Sequence, residues 1–311
     1  MKKVLITGAG GFIGKELVKE ILRHGTEIIA VIRDKKENSA SSELPSGIRT
    51  IPCNMEEIER LPQIIADRDI ECCIHLAWEG STGNARADAK LQLKNAECSV
   101  ELVKAIGKMN IPRFVGAGTL AEKDVLNYHP TDGATPNGVS MYGAAKITAH
   151  FMTKTQCSVL NIEHIWCLLS NTYGVGNTTD NFVNFASRLM LEGKRAAFTA
   201  GEQMYDFVYI TDTVRALWAA ACRGNRNTQY YLGSTKPRKL KEYITIIRDT
   251  INPDIKLYLG EIPYNGTELP VTEYACTKLV RDTGYEPAVS FEEGIRQTVS
   301  WLRSNYLQSE N

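Results

Sequence analysis

The chain has 311 residues, of which 43% are apolar and 23% are charged, as is usual for a globular protein with a large core. Lysine plus arginine and aspartate plus glutamate both number 36, so no net charge attracts nucleic acid or an anionic membrane. The eight cysteines include no CxxC pair, the five histidines have no HxH or HxxxH spacing, and no apolar stretch is long enough to span a bilayer. The composition predicts a soluble, cytoplasmic protein without a disulfide framework or a metal site.

The first half of the chain alternates predicted strands and helices. Strands are predicted at 4–6, 28–32, 48–52, 72–77 and from 114 onward, and helices at 15–23, 55–66 and 85–109, with a loop at 37–47. In the 85–109 segment the apolar residues recur at the helical period. This alternation predicts an α/β fold, a Rossmann-type doubly wound parallel sheet that binds its ligands at the carboxyl ends of the strands.

The second half is less regular and predicts a smaller C-terminal α/β lobe that binds the substrate. We predict an extended run at 159–169, strands at 207–210, 230–232 and 256–259, and helices at 182–192, 213–222, 240–251 and 291–305. Ser290 and Glu293 are spaced as a capping box for the last of these helices. We therefore expect a dinucleotide-binding domain of residues 1–170 plus roughly 205–235. The substrate lobe would comprise roughly 171–204 and 236–311.

A glycine-rich turn, TGAGGFIG at residues 7–14, joins the first strand to the first helix. Glycines in such a unit allow a tight turn, close approach of backbone to a pyrophosphate, and close packing of helix on strand. The helix N-terminus adds free N–H groups and the positive end of its dipole. An ordinary glycine-rich turn is the alternative, which the strand–turn–helix setting disfavours. We expect the phosphates of a dinucleotide to bind at Gly8, Gly10, Gly11, Phe12, Ile13 and Gly14.

Tyr142 and Lys146 are four residues apart and share one face of a predicted helix. The intrinsic pKa of a phenol, about 10, is too high for a base near neutrality, and an adjacent ammonium or an oxidised nicotinamide stabilises the phenolate. An isolated YxxxK pair is most often a solvated helix face. Here the fifth strand ends at Thr119, whose hydroxyl can donate to the same reacting oxygen as Tyr142.

The opening glycines, Thr119 and the YxxxK pair together resemble the short-chain dehydrogenase/reductase superfamily. The likeness is strongest to its extended branch of nucleotide-sugar epimerases, dehydratases and 4-keto reductases, through NTYG at 171–174, DFVYITD at 206–212 and GYEP at 284–287. The resemblance implies that Tyr142 is the acid/base, that Lys146 tunes it and holds the nicotinamide ribose, and that Thr119 hydrogen-bonds the reacting oxygen. It also implies a homodimer in which the 85–109 helix and the helix of Tyr142 pair across a two-fold axis.

The end of the second strand bears on the choice of cofactor. NAD-dependent members of this family usually have an acidic residue there, whereas this chain has Ile32 followed by Arg33. A guanidinium at this point can bind a 2′-phosphate, so the sequence favours NADP. NAD remains the alternative, because Asp34 could fold back onto the ribose hydroxyls. Asn54, after the third strand, matches the slot of a family residue that contacts adenine.

The segment just past the fourth strand is where cofactor and substrate should meet. We expect Leu76, Ala77 and Trp78 at the cofactor, with the Trp78 ring either packing in the core or forming a wall of the nicotinamide pocket. Candidate substrate contacts are Glu79, Thr119, Asn171 and Arg238, although Glu79 could equally be a surface residue.

Two departures from the family concern the reaction and the substrate. Leu120 and Ala121 stand where dehydratases of this branch have an Asp-Glu pair, so dehydration lacks an evident acid and base. Tyr205 and Leu168 occupy positions at which the family has arginines, one of them the arginine that binds the sugar diphosphate. Diphosphate recognition normally uses bidentate cations. Candidates to replace them are Arg188, Lys194, Arg195 and Arg238.

Three functions are compatible with these patterns. The leading hypothesis is an NADPH-dependent oxidoreductase that reduces a keto group on a nucleotide-activated deoxysugar. The alternative is a nucleotide-sugar 4-epimerase, which holds NAD tightly and regains its hydride in each turnover. A catalytically silent, cofactor-sensing protein of the same fold is the third, disfavoured because Tyr142 and Lys146 are both present.

Overall fold

The computed structural model describes residues 1–33, 44–127 and 136–306. The helices are α1 (Phe12–Arg23), α2 (Leu61–Ile64), α3 (Ala89–Lys108), α4 (Ala121–Leu126), α5 (Gly138–Val159), α6 (Phe182–Leu191), α7 (Ile210–Arg223), α8 (Leu240–Ile251), α9 (Thr277–Thr283) and α10 (Phe291–Tyr306). The strands are β1 (Lys3–Thr7), β2 (Glu27–Ile32), β3 (Arg49–Pro52), β4 (Cys72–His75), β5 (Arg113–Thr119), β6 (Glu163–Leu169), β7 (Asn171–Tyr173), β8 (Ala196–Phe198), β9 (Met204–Tyr205), β10 (Phe207–Tyr209), β11 (Thr228–Leu232), β12 (Arg238–Lys239) and β13 (Leu257–Leu259). Short 3-10 helices occur at Met55–Arg60, Gly83–Ala87 and Val271–Tyr274.

The centre of the fold is a seven-stranded sheet in the order β3-β2-β1-β4-β5-β6-β11. All neighbouring strands in it are parallel, which confirms the predicted Rossmann-type α/β fold. Successive residues of β1 point to opposite faces, so Val4 and Ile6 pack in one buried cluster and Leu5 in another. Helices α1 and α7 cover the first face, and α3 with α5 covers the second. The carboxyl ends of β1, β4 and β5 therefore lie side by side.

Several predicted boundaries differ from the structure, among them those of the 55–66, 85–109 and 159–169 segments. The predicted 55–66 helix is a 3-10 helix followed by the one-turn α2, because Pro62 in the first turn of α2 has no N–H to continue a ladder. The predicted 85–109 helix begins only at Ala89, where the Asp88 side chain accepts the Leu91 N–H as an N-cap. The predicted extended run at 159–169 begins at Glu163, because α5 continues to Val159.

The C-terminal half adds small sheets and helices beyond the large sheet. Strand β10 pairs in parallel with β7, β13 with β8, and β12 is antiparallel to β9. Strand β11 returns to the large sheet beside β6. At the start of α10 the Ser290 hydroxyl accepts the Glu293 N–H at 3.2 Å, which is the N-cap half of the predicted capping box, whereas the Glu293 carboxylate accepts from Arg296 and Gln297. Asp34 and part of the predicted 37–47 loop lie outside the described residues. Within the described ranges, no helix has the length and apolarity needed to cross a membrane.

Candidate active site

The turn between β1 and α1 is shaped by two glycines. Gly8 has a φ of +76°, and a Cβ on it would lie 2.6 Å from the backbone nitrogen of Ala77. A Cβ on Gly14 would lie 2.2 Å from the Gly8 carbonyl oxygen, so α1 starts in direct contact with the turn. The N-cap residue Gly11 offers no side-chain cap to the first turn of α1. The backbone N–H groups in the first turn of α1 could therefore donate to a pyrophosphate, and the residues present fit that group.

Tyr142 is brought beside Thr119 by the start of α5. Asn137 caps this helix through Oδ1, which accepts the Val139 N–H at 2.9 Å, and Tyr142 follows within the second turn. The Tyr142 phenol lies close to the Thr119 side chain at the end of β5, near enough for Thr119 to affect its pKa. Burial raises the pKa of Tyr142 to about 12, against the opposing effects of Arg86 and of Thr119. The phenol therefore holds its proton near neutral pH in the cofactor-free protein.

Lys146 lies one helical turn further along α5 and is also buried. Its Nζ donates to the Ala117 carbonyl at 2.8 Å and lies 3.7 Å from the centre of the Trp78 ring. The same Nζ is 5.9 Å from the centre of the Tyr142 ring. Burial lowers the pKa of Lys146 to about 7, although the charge of Glu122 acts in the opposite direction. The ammonium is thus poised to lose its proton near neutrality.

The segment after β4 is tied to α3 by two buried amides. Trp78 Nε1 donates to Gln92 Oε1 at 2.8 Å, and Gln92 Nε2 donates to the Gly80 and Ala85 carbonyls, both at 2.9 Å. Asn95 bonds both the N–H and the carbonyl of Glu79, each at 2.9 Å. Trp78 also meets the Tyr142 ring edge-on, with ring centres 6.1 Å apart. Trp78 is therefore held between α3 and the Tyr142–Lys146 pair.

A buried carboxylate, Glu122 on α4, lies beneath Thr119. Glu122 Oε1 accepts the Thr119 N–H at 3.0 Å, and both of its oxygens accept from Trp166 Nε1, at 3.0 and 3.1 Å. His150 Nδ1 lies 3.4 Å from Glu122 Oε2, and its ring stacks on Trp166 with centres 4.7 Å apart. A Cβ on Gly118 would lie 2.3 Å from Trp166 Nε1, so the glycine before Thr119 makes room for the indole.

Arg33, the first residue after β2, lies beside Glu79. Arg33 Nη1 is 3.8 Å from Glu79 Oε1, and both side chains are about half exposed. The Glu79 carboxylate therefore lies at the end of β2, next to the position predicted for the adenosine ribose. Asn54 is the N-cap of the 3-10 helix that follows β3, and β3 is the edge strand next to β2.

The cations predicted to bind a diphosphate are each paired with a carboxylate. Arg238 Nη1 contacts Glu292 at 2.6 Å, Arg195 contacts Glu261 at 2.5 Å, Lys194 contacts Glu192 at 2.6 Å, and Arg188 contacts Asp180. Asn171 Nδ2 donates to the Asp206 carbonyl at 3.1 Å. Leu168 is buried inside the sheet, whereas Tyr205 lies on β9, opposite Arg238.

Arg86 and Asp124 belong to the surroundings of Tyr142 and Tyr205, and the sequence did not single them out. The Arg86 guanidinium lies 5.1 Å from the centre of the Tyr142 ring. Burial raises the pKa of Asp124 to about 6, and the Asp124 charge in turn raises the pKa of Tyr205. Arg86 fell inside a predicted helix and Asp124 in a segment with no predicted element. In both cases the signal is the position of the charged group in the folded chain, close to Tyr142 or Tyr205, which a sequence does not reveal.

The described residues contain no group of three or more His, Cys, Asp or Glu side chains that could hold a metal ion. All eight cysteines are free thiols.

The parallel sheet, its glycine turn, the partly buried Thr119 and the buried Tyr142–Lys146 pair define a dinucleotide-binding α/β enzyme. The family described as "NAD dependent epimerase/dehydratase family" matches residues 4–233. The chain belongs to this family, whose members act on nucleotide sugars and bind NAD(P).

Individual relatives match almost end to end. A dTDP-glucose 4,6-dehydratase of Salmonella typhimurium is 26% identical and is matched over 97% of this chain and 93% of its own length. Among solved structures, the Bordetella bronchiseptica enzyme WbmF in complex with NADH has a TM-score of 0.80 at 19% identity, covering 99% of this chain and 94% of its own. UDP-glucose 4-epimerase of Thermotoga maritima with UDP-glucose has a TM-score of 0.78 at 22% identity, covering 97% and 99%.

Proposed function

We propose that this enzyme uses NADPH to reduce a keto group on a nucleotide-activated deoxysugar. The observation that carries the proposal is the buried phenol of Tyr142, which keeps its proton near neutral pH and lies beside Thr119 at the end of β5. A carbonyl that accepts hydride becomes an alkoxide, which needs a proton donor within hydrogen-bond reach. A phenol whose pKa is raised to about 12 is a donor in its resting form.

Each part of the site has a role in this reaction. The cofactor, when bound, supplies the hydride. The turn from Gly8 to Gly14 would hold its pyrophosphate, Arg33 and Asn54 its adenosine, Leu76 to Trp78 its nicotinamide, and Lys146 the adjoining ribose. Tyr142 gives its proton to the developing oxyanion while the Thr119 hydroxyl donates to the same atom. The charge on Lys146 then stabilises the phenolate that remains.

A nucleotide-sugar 4-epimerase is the second candidate. It is favoured by the likeness of the fold to the UDP-glucose 4-epimerase of Thermotoga maritima. Epimerisation uses the same Tyr142 first as a base and then as an acid, with hydride returned to the substrate. The cofactor-sensing alternative is disfavoured, because Tyr142, Lys146 and Thr119 lie together and are kept in register by buried hydrogen bonds.

The two enzymatic functions differ in how they use the cofactor. Mass spectrometry of the nucleotide released by denaturing the purified protein, combined with assay of NADPH oxidation against keto-sugar nucleotides, separates them. The reductase predicts NADPH consumed in a one-to-one ratio with substrate, and none consumed by the Tyr142→Phe variant. Tightly bound NAD that co-purifies, with interconversion of sugars and no net oxidation, would establish the epimerase.

Preference for NADP rests on Arg33. The strand ends at Ile32 as the sequence indicated, so the guanidinium is the first side chain beyond the sheet at the expected ribose position. A 2′-phosphate would compete with Glu79 for this guanidinium. Because an exposed ion pair of this kind contributes only about 0–1 kcal/mol, the competition is weak.

We further propose a homodimer built on α3 and α5. These helices expose large apolar side chains, with 60% of Leu93, 62% of Phe151 and 48% of Met152 accessible. Covering them with the same helices of a second copy gives an isologous, two-fold interface. A cytoplasmic location is proposed on the ground that all eight thiols are free.

A further inference from the structure

Arg86 lies in the 3-10 helix Gly83–Ala87, within the segment that follows β4. Its Nε donates to the Ser81 carbonyl at 2.6 Å, which fixes one edge of the guanidinium. Ser81 and Arg86 flank the carbonyls of Gly80 and Ala85 that Gln92 holds. A Cβ on Gly138 would lie 3.1 Å from the Ala87 Cβ, so the same segment packs closely on the start of α5. Arg86 is therefore carried by a braced segment.

Within the described ranges, the two terminal nitrogens of Arg86 make no hydrogen bond or ion pair. Across residues 1–33, 44–127 and 136–306, the Arg86 side chain makes one hydrogen bond, through Nε, and no ion pair. By contrast, Arg188, Arg195 and Arg238 are each paired with a carboxylate. A half-buried guanidinium whose two terminal nitrogens carry four N–H donors is expected to bind an oxyanion, because its fork matches the geometry of carboxylate and phosphate.

The position of this guanidinium relates it to the chemistry. It lies 5.1 Å from the centre of the Tyr142 ring, and its charge lowers the pKa of both Tyr142 and Tyr205. Arg86 thus faces the space between the end of β5 and β9, where a substrate held by Tyr142 would extend. The nearby carboxylate of Asp124 acts on Tyr205 with the opposite sign. An anion in this space is attracted to Arg86 and repelled by Asp124.

We propose that Arg86 binds an oxyanion of the substrate, a carboxylate or a phosphate, within about one sugar ring of the oxygen that Tyr142 protonates. This inference rests on the proposed function only in taking Tyr142 as the residue that contacts the reacting oxygen. Two sources fit the same chemistry, namely a carboxylate on the sugar itself and the phosphate attached to its anomeric carbon.

The test is calorimetric titration of the protein saturated with whichever of NADP⁺ or NAD⁺ it binds more tightly. The probes are UDP-glucose, UDP-glucuronic acid, glucose 1-phosphate and glucuronic acid. The proteins are wild type, Arg86→Gln, Arg86→Lys and Arg23→Gln. Arg23 is the matched control, because it is 61% exposed at the end of α1 and pairs with Glu20. Thermal melts of all four proteins verify that they are folded.

For the probes that carry the oxyanion bound by Arg86, we expect Arg86→Gln to weaken binding by about 10- to 100-fold. Arg86→Lys should weaken it less, and Arg23→Gln should leave it unchanged. If Arg86→Gln loses affinity only for UDP-glucuronic acid and glucuronic acid, the bound oxyanion is a carboxylate on the sugar. Loss for UDP-glucose and glucose 1-phosphate identifies a phosphate.

Equal affinities in wild type and Arg86→Gln for every probe, or no binding of any probe to wild type, would overturn the oxyanion site. Neither result bears on the proposed reaction, which is judged separately from the loss of hydride transfer in Tyr142→Phe. If that variant kept full activity while Arg86→Gln weakened binding, the oxyanion site would stand and the catalytic assignment would fail.

Discussion

The carboxylate of Glu122 accepts the backbone N–H of Thr119 at 3.0 Å, directly beneath the hydroxyl that meets Tyr142. The same carboxylate accepts from Trp166 and lies 3.4 Å from His150. Its charge also acts on Lys146, where it opposes the effect of burial on the pKa. The buried Glu122 carboxylate therefore holds the backbone of Thr119 beside the proposed position of the reacting oxygen. It also helps to keep the Lys146 ammonium charged.

Replacing Glu122 by Gln should move the pH profile while keeping the fold. The amide oxygen can still accept from Thr119 and Trp166, and the NH₂ takes the place of the carboxylate oxygen that lies 3.4 Å from His150 Nδ1. Removal of the charge lowers the pKa of Lys146 below its wild-type value of about 7. An ammonium is lost as pH rises through its pKa, so activity that needs the charged Lys146 should fall away at lower pH in Glu122→Gln. The measurement is kcat against pH.

The other groups that face Lys146 are Trp78, Tyr142 and His75. Burial lowers the pKa of His75 to about 3, so His75 stays neutral near pH 7 and its titration does not contribute to the dependence of kcat on pH. Glu122→Ala is the companion variant. It leaves the N–H groups of Thr119 and Trp166 without acceptors, at a cost of about 1–3 kcal/mol each. Identical pH profiles for wild type and Glu122→Gln would refute the electrostatic role.

Lys146 should make stability depend on pH. Its folded-state pKa of about 7 is below the ordinary 10.5, so between these values the unfolded chain binds more protons than the folded one. The free energy of unfolding then rises with pH across that window. Below pH 7 the buried Lys146 is charged, so the full cost of burying its charge destabilises the fold. Lys146→Met removes a penalty on the order of a few kcal/mol at pH 6 but little at pH 10. Melting curves without cofactor should show that the Tm of Lys146→Met, relative to wild type, falls as pH rises. Lys19→Met is the control, because the Lys19 side chain is 53% exposed on α1. A constant difference would contradict the prediction.

Tyr142→Phe should lower turnover by about 10²–10⁴-fold, which is the usual contribution of a positioned acid/base. Binding of the cofactor should be nearly unchanged, because the phenol ring that packs against Trp78 is retained. Lys146→Ala, in contrast, should lower turnover and also weaken the binding of the cofactor. Steady-state kinetics and equilibrium titration of the nucleotide distinguish the two variants. Full activity in Tyr142→Phe would remove the assignment.

Arg33 and Glu79 should influence cofactor choice in opposite directions. Charge-assisted bonds to a 2′-phosphate contribute roughly 1.5–3 kcal/mol, or about one to two powers of ten in affinity for NADPH over NADH. Arg33→Ala should remove this preference and scarcely change NADH. Glu79→Gln, which frees Arg33 from the carboxylate 3.8 Å away, should strengthen NADPH binding a few-fold. Fluorescence titration measures both. If wild type binds NADH as tightly as NADPH, the epimerase becomes the better proposal.

The proposed dimer predicts a light-scattering mass of about twice the 34.6 kDa chain at micromolar concentration. Phe151→Asp puts a charge in the centre of the apolar face of α5 and should give monomers. Phe185→Asp is the matched control, since this residue is 49% exposed on α6, away from α3 and α5. A wild-type mass of one chain would contradict the proposal.

Much of the architecture could be predicted because it follows from short-range patterns. The apolar runs of β1 and β4, the glycine turn and the helical spacing of Tyr142 and Lys146 each constrain local structure directly. Two of the errors arose where a single side chain decides a boundary. Asp88 delays α3 by capping it, and Pro62 divides the helix predicted at 55–66.

The surroundings of the candidate site were less accessible to sequence reasoning. Glu122 and Trp166 are 44 positions apart in the chain, and their contact depends on the pairing of β5 with β6. The relation of Arg33 to Glu79 likewise depends on the loops after β2 and β4 meeting at one edge of the sheet. Such pairs arise from tertiary packing, and neither residue predicts its partner alone.

The indole of Trp166 also has a consequence for evolution. It occupies the volume that any side chain at position 118 would require, since a Cβ there would lie 2.3 Å from Nε1. A larger residue at position 118, serine for example, therefore cannot enter until position 166 becomes smaller, and Glu122 would then lose its indole partner. Positions 118, 122 and 166 should change together across an alignment of relatives. A sequence with serine at 118 and tryptophan at 166 should be rare, whatever substrate its enzyme takes.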